Sequence, residues 1–236
     1  MNAFLEISGL EAGYGAVQVL WRVELCLRGR GIACLVGSNG AGKPTLLRSI
    51  SGLLAPRTGS IRFKGEEITG LRPDQVLAKG IAHVPEGRRL FASMNVEENL
   101  RMGAYGHRSS VQEGLERAYA LFPVLKERRR QDASTLSGGE QQMCAIARGL
   151  MSRPKLLLID ELSLGLAPRV VEQLVSTLID VAQTGTGILL VEQDVAAALD
   201  LASEGFVLDR GQIVLAGSSS SLAANPRVRE AYLGVA

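Results

Sequence analysis

Short apolar runs dominate the first part of the chain, and their spacing is that of strands. Residues 4–10 alternate apolar and polar side chains, which predicts a half-buried strand. Residues 17–27 predict a second strand, and the unbroken apolar run at residues 32–36 predicts a buried one. A short strand and turn follow at residues 59–65. Together these strands predict an antiparallel sheet beside the segment that begins after residue 36.

The apolar spacing changes to that of helices in the middle of the chain. After a short helix at residues 72–79 and a buried strand at residues 81–84, no further strand pattern occurs until residue 156. We therefore predict a single domain of residues 1–236, in which a helical subdomain at about residues 87–152 interrupts an α/β core formed by about residues 1–86 and 153–236. Helices are predicted over residues 96–102, 111–122 and 138–152, and the basic run at residues 126–130 is predicted to be helical with a solvated face.

Strand and helix patterns alternate in the last part of the chain, which predicts a mostly parallel sheet and an α/β fold. A polar linker is expected at residues 218–221, where it can cap a short helix at residues 222–224. The alternating elements are strand 156–160, helix 168–182, strand 188–191, helix 195–202, and two short strands, 206–209 and 212–215, joined by a turn at Arg210 and Gly211.

Composition excludes several classes of protein. With 236 residues, 46% hydrophobic and 21% charged, the chain has the make-up of a globular protein. A net charge of +2 gives no electrostatic basis for binding nucleic acid. The apolar runs are strand-sized, well short of the roughly 20 residues of a membrane helix. The three cysteines lack metal-ligand spacing, and we expect free thiols in a reducing compartment.

A glycine-rich segment follows the buried strand at residues 32–36 and precedes a predicted helix. This context favours a phosphate-binding loop, because backbone N–H groups and a helix N-terminus can surround an anion. A tight glycine turn into a helix is the alternative, since the pattern requires Ser or Thr where this chain has Pro44. The phosphate loop comprises Gly37, Ser38, Asn39, Gly40, Ala41, Gly42, Lys43, Pro44 and Thr45.

Two carboxylates end the apolar strand at residues 156–159. A central strand of an α/β sheet would deliver both to the edge where ligands bind. There Asp160 can hold Mg²⁺, and Glu161 can polarise the water that attacks a γ-phosphate. Solvated acids at a strand end are the alternative.

The run at residues 136–142, Leu-Ser-Gly-Gly-Glu-Gln-Gln, is the most specific in the chain. Ser137 and Glu140 have the spacing of a capping box at a helix start. Capping alone does not require Gly138 and Gly139, and glycine weakens a helix. Close approach of the backbone to an anion would justify both glycines. This run strongly resembles the signature motif of ATP-binding-cassette (ABC) ATPases.

The resemblance extends from residue 5 to residue 232. Residues 37–45 resemble the Walker A motif, residues 156–161 the Walker B motif and residues 163–166 the D-loop. Tyr14 sits where the family stacks an aromatic ring on adenine. Two departures, Glu86 at the Q-loop glutamine and Gln193 at the switch histidine, help to identify the branch. With residues 84–89, 96–100, 163–168, 191–193 and 231–234, they resemble the second ATP-binding subunit of branched-chain amino acid importers, with urea and amide importers as neighbours.

The resemblance implies an ATPase subunit, peripheral on the cytoplasmic face of the membrane, that uses ATP and Mg²⁺. It implies dimerisation with a second ATP-binding subunit, identical or different, so that Ser137 and the two glycines of each chain meet the partner's ATP. Two transmembrane permease subunits and a periplasmic binding protein would complete the importer, and the region from Glu86 through the helical subdomain would contact the permease.

Pro44 and Leu162 depart from the family pattern. Proline supplies neither a hydroxyl for Mg²⁺ nor an N–H for phosphate, and it disfavours a helical conformation at Lys43. We expect the fold to survive and Mg-ATP to bind weakly. A nucleotide-binding structural subunit with little hydrolysis is therefore the alternative. His83, expected in the core or at a sheet edge, and His107, expected in a loop, are assigned no function.

Overall fold

The structure is a computed structural model that describes residues 3–106 and 110–233. The loop predicted around His107 and the end of the 231–234 motif at Gly234 lie outside the described residues.

The predicted antiparallel sheet is confirmed, and it has four strands in the order β2-β1-β4-β5. Tyr14 is the last residue of β1 and is exposed, and the turn to β2 begins at Gly15. Strand β3 does not join this sheet. The first five strands are β1 (Leu5–Tyr14), β2 (Val17–Leu27), β3 (Ile32–Val36), β4 (Thr58–Phe63) and β5 (Glu66–Glu67).

The main sheet has six strands in the order β10-β9-β3-β8-β7-β6, and all are parallel except β10. This arrangement confirms the mostly parallel α/β sheet. Its remaining strands are β6 (Ile81–Val84), β7 (Leu156–Asp160), β8 (Gly187–Glu192), β9 (Glu204–Asp209) and β10 (Gln212–Ser218).

The predicted helices are present, with boundaries that differ by a few residues. In the described chain, the elements between β6 and β7 are all helical, apart from one isolated bridge that pairs Asn95 with Asp132. The α-helices are α1 (Lys43–Ile50), α2 (Pro73–Lys79), α3 (Val96–Gly103), α4 (Val111–Leu121), α5 (Pro123–Glu127), α6 (Gly138–Leu150), α7 (Pro168–Gln183), α8 (Val195–Leu201), α9 (Ser219–Ala223) and α10 (Pro226–Val228). A 3₁₀ turn spans Ala133–Thr135 and a π turn spans Arg229–Leu233.

The main sheet separates two apolar clusters, which explains the unbroken apolar runs of its strands. Successive side chains of a strand point to opposite faces. In β7, Leu156 and Leu158 therefore pack with the antiparallel sheet and α1. Leu157 and Ile159 pack with the helices on the other face, including α6 and α7. Burial of both faces fixes the strand on which the two acids are carried.

The prediction of a helix through residues 126–130 is wrong. Helix α5 ends at Glu127, and residues 128–130 form an exposed turn. The carbonyl of Arg129 accepts a hydrogen bond from the N–H of Glu97, and that of Gln131 from the N–H of Val96. Because these carbonyls pair with the start of α3, the backbone leaves the helical path there.

The polar linker at residues 218–221 is also wrong, although the predicted cap is present. Ser218 is the N-cap, and its hydroxyl accepts a hydrogen bond from the N–H of Ser221 at 3.2 Å. Residues 219–221 are therefore the first turn of α9, which begins three residues earlier than predicted. Serine favours this role because its short side chain reaches the free N–H groups of a helix start.

Candidate functional site

The residues singled out from the sequence converge at the carboxyl edge of the main sheet. Its parallel strands end in register, with Val36 beside Glu192 and Asp160 beside Val191. The phosphate loop follows β3, Glu161 follows β7 and Gln193 follows β8. Ligands of open α/β sheets bind at this edge, where the crossovers leave a crevice.

Backbone packing explains two glycines of the phosphate loop. A Cβ atom on Gly37 would lie 2.1 Å from the carbonyl oxygen of Leu208. Gly42, the N-cap of α1, has a φ of 107°, and a Cβ there would lie 2.9 Å from Leu20 Cδ2. Glycine is required at both positions by close approach, and at Gly42 also by the left-handed backbone.

Lys43 folds back into the loop. Its Nζ donates to the carbonyl oxygens of Gly37 at 2.7 Å and Ser38 at 3.2 Å. The side chain is 3% exposed. Burial lowers the pKa of Lys43, whereas the carboxylates opposite it raise that pKa, Glu161 and Asp160 more strongly than Glu192. The ammonium is therefore held beside the acids that end β7.

Pro44 lies in the first turn of α1 without displacing Lys43. The helix begins at Lys43, so the expected loss of helical conformation at this residue does not occur. The helix bond from Leu46 N–H to the Gly42 carbonyl forms at 3.0 Å. Proline is tolerated here because the first N–H groups of a helix have no intrahelical acceptor. It nevertheless removes one donor from the turn that faces the loop.

Asp160 is a buried carboxylate with an unused acceptor. Its side chain is 4% exposed, and Oδ1 has no hydrogen-bond partner. Burial raises the pKa of Asp160 to about 6, and the negative charges of Glu161 and Glu86 act in the same direction, against Lys43. Glu86 itself lies in the exposed turn after β6. The structure thus brings the charges of both Glu86 and Glu161 close enough to act on Asp160.

The carboxylate of Asp160 fits a magnesium ion that is shared with phosphate. Within residues 3–106 and 110–233, no group of three or more His, Cys, Asp or Glu is arranged to hold a metal ion alone. Magnesium commonly uses one or two protein carboxylates together with substrate phosphates and water. The unpaired Oδ1 of Asp160 is a suitable oxygen ligand for such a shared ion.

Glu161 and Gln193 are directly hydrogen-bonded. The Nε2 of Gln193 lies 2.8 Å from both carboxylate oxygens of Glu161. Glu161 has a φ of 57°, in the left-handed region that glutamate rarely adopts. Its N–H donates to the carbonyl of Val191 at 2.9 Å, which helps to fix this conformation.

Glu192 is a site residue that the sequence pattern did not identify. It ends β8 and is 5% exposed. Its Oε1 accepts from the N–H of Ser163, and its Oε2 accepts from the Ser163 hydroxyl, both at 3.0 Å. Burial raises the pKa of Glu192, and these hydrogen bonds oppose the rise. In the sequence it appeared only as part of the 191–193 segment, without a role of its own.

Arg48 makes a contact with Tyr14 that the sequence did not predict. On α1, its Nη1 donates to the hydroxyl of Tyr14 at 2.8 Å, and its guanidinium carbon lies 5.9 Å from the centroid of the Tyr14 ring. Arg57 holds the following turn through the carbonyl of Gly15 at 2.6 Å. The exposed Tyr14 ring is therefore positioned beside the helix that begins at the phosphate loop.

The signature run starts α6 and forms the predicted capping box. The Ser137 hydroxyl accepts from Glu140 N–H at 3.3 Å, and Ser137 N–H donates to the Glu140 carboxylate at 2.8 Å. A Cβ on Gly139 would lie 2.7 Å from Val170 Cγ1, so close packing against α7 is a second reason for glycine at this position. In the described chain, Glu140 forms an ion pair with Arg128 and not with the phosphate loop. The run is thus a separate surface of the same chain.

Residues 20–163 match the family described as ABC transporter. The chain is 47% identical to the high-affinity branched-chain amino acid transport ATP-binding protein BraG of Pseudomonas aeruginosa, over 94% of this chain and 95% of that protein. It is 34% identical to the probable branched-chain amino acid transport ATP-binding protein LivF of Archaeoglobus fulgidus, over 96% and 97% of the two chains. The chain belongs to the ABC transporter ATPase family.

Solved structures show the same fold. The structure of an ATP-binding subunit of an ABC transporter superposes with a TM-score of 0.84 at 29% identity, and the match covers 98% of this chain and 96% of that one. The ADP conformation of an ATP-binding cassette superposes with a TM-score of 0.85 at 24% identity, over 99% and 100% of the chains. The predicted α/β fold is confirmed, and the chain is an ATP-binding protein of the ABC ATPase type.

Proposed function

We propose that this chain hydrolyses ATP to drive an importer of branched-chain amino acids. The observation that carries the proposal is the 47% identity to BraG along nearly the whole of both chains. It is supported by the convergence of the phosphate loop, Asp160, Glu161 and Gln193 at one sheet edge. A chain of this kind is peripheral on the cytoplasmic face of the membrane. No helix in the described part of the chain has the length and hydropathy needed to cross one.

ATP binds along the phosphate loop. Tyr14 stacks on adenine, and the backbone N–H groups of the loop bind phosphate oxygens. The Lys43 ammonium exchanges the carbonyls of Gly37 and Ser38 for the β- and γ-phosphates. Exchange is favourable because phosphate is a charged acceptor and a carbonyl is neutral.

Hydrolysis depends on the residues after β7 and β8. Asp160 would hold Mg²⁺ through Oδ1, and the ion when bound neutralises phosphate charge. Glu161 orients and polarises the attacking water. Gln193 leaves Glu161 to donate a neutral hydrogen bond to the γ-phosphate. The exposed Glu86 lies at the start of the segment that leads to the helical subdomain, and its charge acts on Asp160 in the site.

A second ATP-binding subunit completes each site. Ser137, Gly138, Gly139 and Glu140 lie at the start of α6, apart from the chain's own phosphate loop. We assign this surface to the ATP of the partner, in a homodimer or heterodimer. Two permease subunits contact the region from Glu86 through residue 152, and a periplasmic binding protein delivers the solute. The division into a core of residues 1–86 and 153–236 and a helical subdomain of residues 87–152 serves this coupling.

Uptake measurements in the source organism test the solute. Cells that lack this chain should lose uptake of labelled leucine, isoleucine and valine, and the parent chain should restore it. Glu161→Gln is the matched control that should bind ATP without restoring uptake. Loss of urea or acetamide uptake with normal leucine uptake would instead assign the chain to the urea and amide importers.

Pro44 favours one alternative function. Its missing hydroxyl and N–H weaken the loop, so the chain can serve as a nucleotide-binding structural subunit whose partner performs hydrolysis. In that case Glu161→Gln would restore uptake as well as the parent chain does.

A further inference from the structure

The turn after β7 is held by three consecutive residues, the last two of β8 and Gln193, which follows it. The Val191 carbonyl accepts from Glu161 N–H at 2.9 Å, and the Gln193 amide contacts the Glu161 carboxylate at 2.8 Å. Between them, Glu192 holds Ser163 through both of its oxygens at 3.0 Å. The two outer contacts hold Glu161 itself, whereas Glu192 holds the chain two residues further on.

This turn needs such support. Glu161 has a φ of 57°, a conformation that persists only where the surroundings determine it. A proline at position 162 would restrict the turn through its ring, but Leu162 leaves its own backbone φ free. Leu162 is 2% exposed, so its side chain anchors the middle of the turn by packing. Ser163 is the next residue, and its N–H and its hydroxyl both donate to Glu192.

The contact also connects the turn to an exposed segment. Ser163 begins the 163–166 segment, in which Leu164 is 51% exposed and Gly165 has a φ of 68°. Glu192, the other partner in this contact, is buried, so its side chain has few alternative positions. A movement of the 163–166 segment would therefore displace Glu192, the residue that precedes Gln193.

We propose that Glu192 is a positioning residue for ATP hydrolysis. Through Ser163 it fixes the turn that carries Glu161, and it ties the exposed 163–166 segment to Gln193. The inference rests on the proposed role of Glu161 as the residue that orients water. Glu192 itself contacts neither nucleotide nor water in this role.

Substitution of Glu192 tests the proposal by separating binding from turnover. Glu192→Ala should lower kcat by about 10- to 100-fold, because small displacements of a catalytic group have effects of this size, and change the Kd for ATP less than about threefold. Glu192→Gln should recover most of the activity, because its carbonyl can accept the Ser163 N–H and its amide can donate to the hydroxyl. Glu24→Ala is the matched control, since Glu24 also accepts a backbone N–H, that of Gly9 at 2.7 Å, away from the site.

A double-mutant cycle assigns the effect to the contact. If Glu192 acts through Ser163, the losses in kcat from Glu192→Ala and Ser163→Ala should not add in the double variant. Hydrogen exchange of the Ser163 amide should accelerate in Glu192→Ala and remain slow in Glu192→Gln. This measurement requires no catalysis, so it separates failure of the contact from failure of the proposed function.

Additive losses, an unchanged kcat in Glu192→Ala, or a Glu192→Gln variant as slow as Glu192→Ala would overturn the proposal. Unchanged exchange at Ser163 in Glu192→Ala would overturn the contact itself. Absence of ATP hydrolysis in the parent chain together with accelerated exchange in Glu192→Ala would leave the contact established and overturn the proposed hydrolytic role that the inference requires.

Discussion

The side-chain amide of Gln193 contacts both carboxylate oxygens of Glu161, at 2.8 Å each. In this arrangement the carboxylate that would polarise water is already hydrogen-bonded, and the amide that would contact the γ-phosphate is engaged. If Gln193 donates to the γ-phosphate as proposed, its amide must leave the Glu161 carboxylate when ATP binds. Because an amide does not titrate near neutral pH, this separation is driven by the ligand and not by protonation of Gln193.

Gln193→Ala should reduce turnover by about 10- to 100-fold while ATP still binds, because a single contact to the γ-phosphate is lost. Gln193→His is the informative control: its rate profile should acquire an inflection near pH 6.5 that the parent lacks. Measurement of kcat from pH 5.5 to 8.5 checks both. An inflection near 6.5 in the parent that disappears in Gln193→Ala would contradict the assignment.

Pro44→Ser should strengthen Mg-ATP binding and accelerate hydrolysis. A hydrogen bond to charged phosphate contributes about 1.5–3 kcal/mol, which corresponds to about 10- to 150-fold in affinity. Pro44→Ala is a matched control, because it restores the N–H without the hydroxyl and should recover only part of the effect. Titration with Mg-ATP and single-turnover rates measure both variants beside the same partner subunit. Equal values for the parent and Pro44→Ser would show that proline is harmless here.

Ser137→Asp separates the capping role of Ser137 from its proposed role at the partner's ATP. Aspartate caps helices as well as serine and suits the positive helix N-terminus, so the midpoint of thermal unfolding should hardly change. Its negative charge should repel the γ-phosphate of the partner subunit, so ATP-dependent dimerisation should be lost. Ser137→Ala should lower the free energy of unfolding by about 1 kcal/mol. Normal dimerisation of Ser137→Asp, measured by light scattering with ATP, would restrict Ser137 to capping.

His83 should make stability depend on pH. It lies on the edge strand β6, its Nδ1 is 3.2 Å from the Ser51 hydroxyl, and its buried Nε2 has no hydrogen-bond partner. Burial lowers the pKa of His83 to about 4, and the charge of Arg48 acts in the same direction. Between about pH 6.5 and about pH 4 the unfolded chain therefore binds more protons than the folded chain. The free energy of unfolding consequently decreases as the pH falls through that range.

Replacement of His83 by Asn isolates the contribution of His83 to the pH dependence of the free energy of unfolding. The slope for one proton is at most about 1.4 kcal/mol per pH unit, and it should be present in the parent and absent in His83→Asn. Urea unfolding at pH 7, 6 and 5 measures the difference, in which the contributions of carboxylates cancel. Parallel pH dependences in the two proteins would contradict the buried, neutral state of His83.

Local patterns predicted most of the strands, but they did not predict β5, and β1 and β10 extend further than predicted. The predicted bounds of β2, β3 and β7 agree with the structure, and both faces of β3 and β7, whose apolar runs end at Gly37 and at the two acids, are buried. The order of the parallel strands then places Glu161 and Gln193 together without further information. The position of an uninterrupted apolar strand is therefore largely a local property in this chain.

Contacts between distant residues could not be predicted. Residues 128–130 leave the helix because the carbonyl groups of Arg129 and Gln131 pair with the start of α3. Likewise, Arg48 reaches Tyr14 across 34 positions and Glu192 reaches Ser163 across 29, although neither pair shares a motif. Such pairings depend on the folded arrangement of elements, which residue spacing does not encode.

The most direct test of the account is ATP hydrolysis by this chain with its partner subunit, compared between the parent and Glu161→Gln. Purified chains are loaded with Mg-ATP, and phosphate release is followed in a single turnover, with nucleotide affinity measured in parallel. The chain alone should hydrolyse ATP weakly, and the partner should increase its rate. Glu161→Gln should keep the parent's Kd within about twofold and release phosphate at least about 100-fold more slowly. Full activity of the chain as a strict monomer, or undiminished phosphate release by Glu161→Gln, would contradict the account.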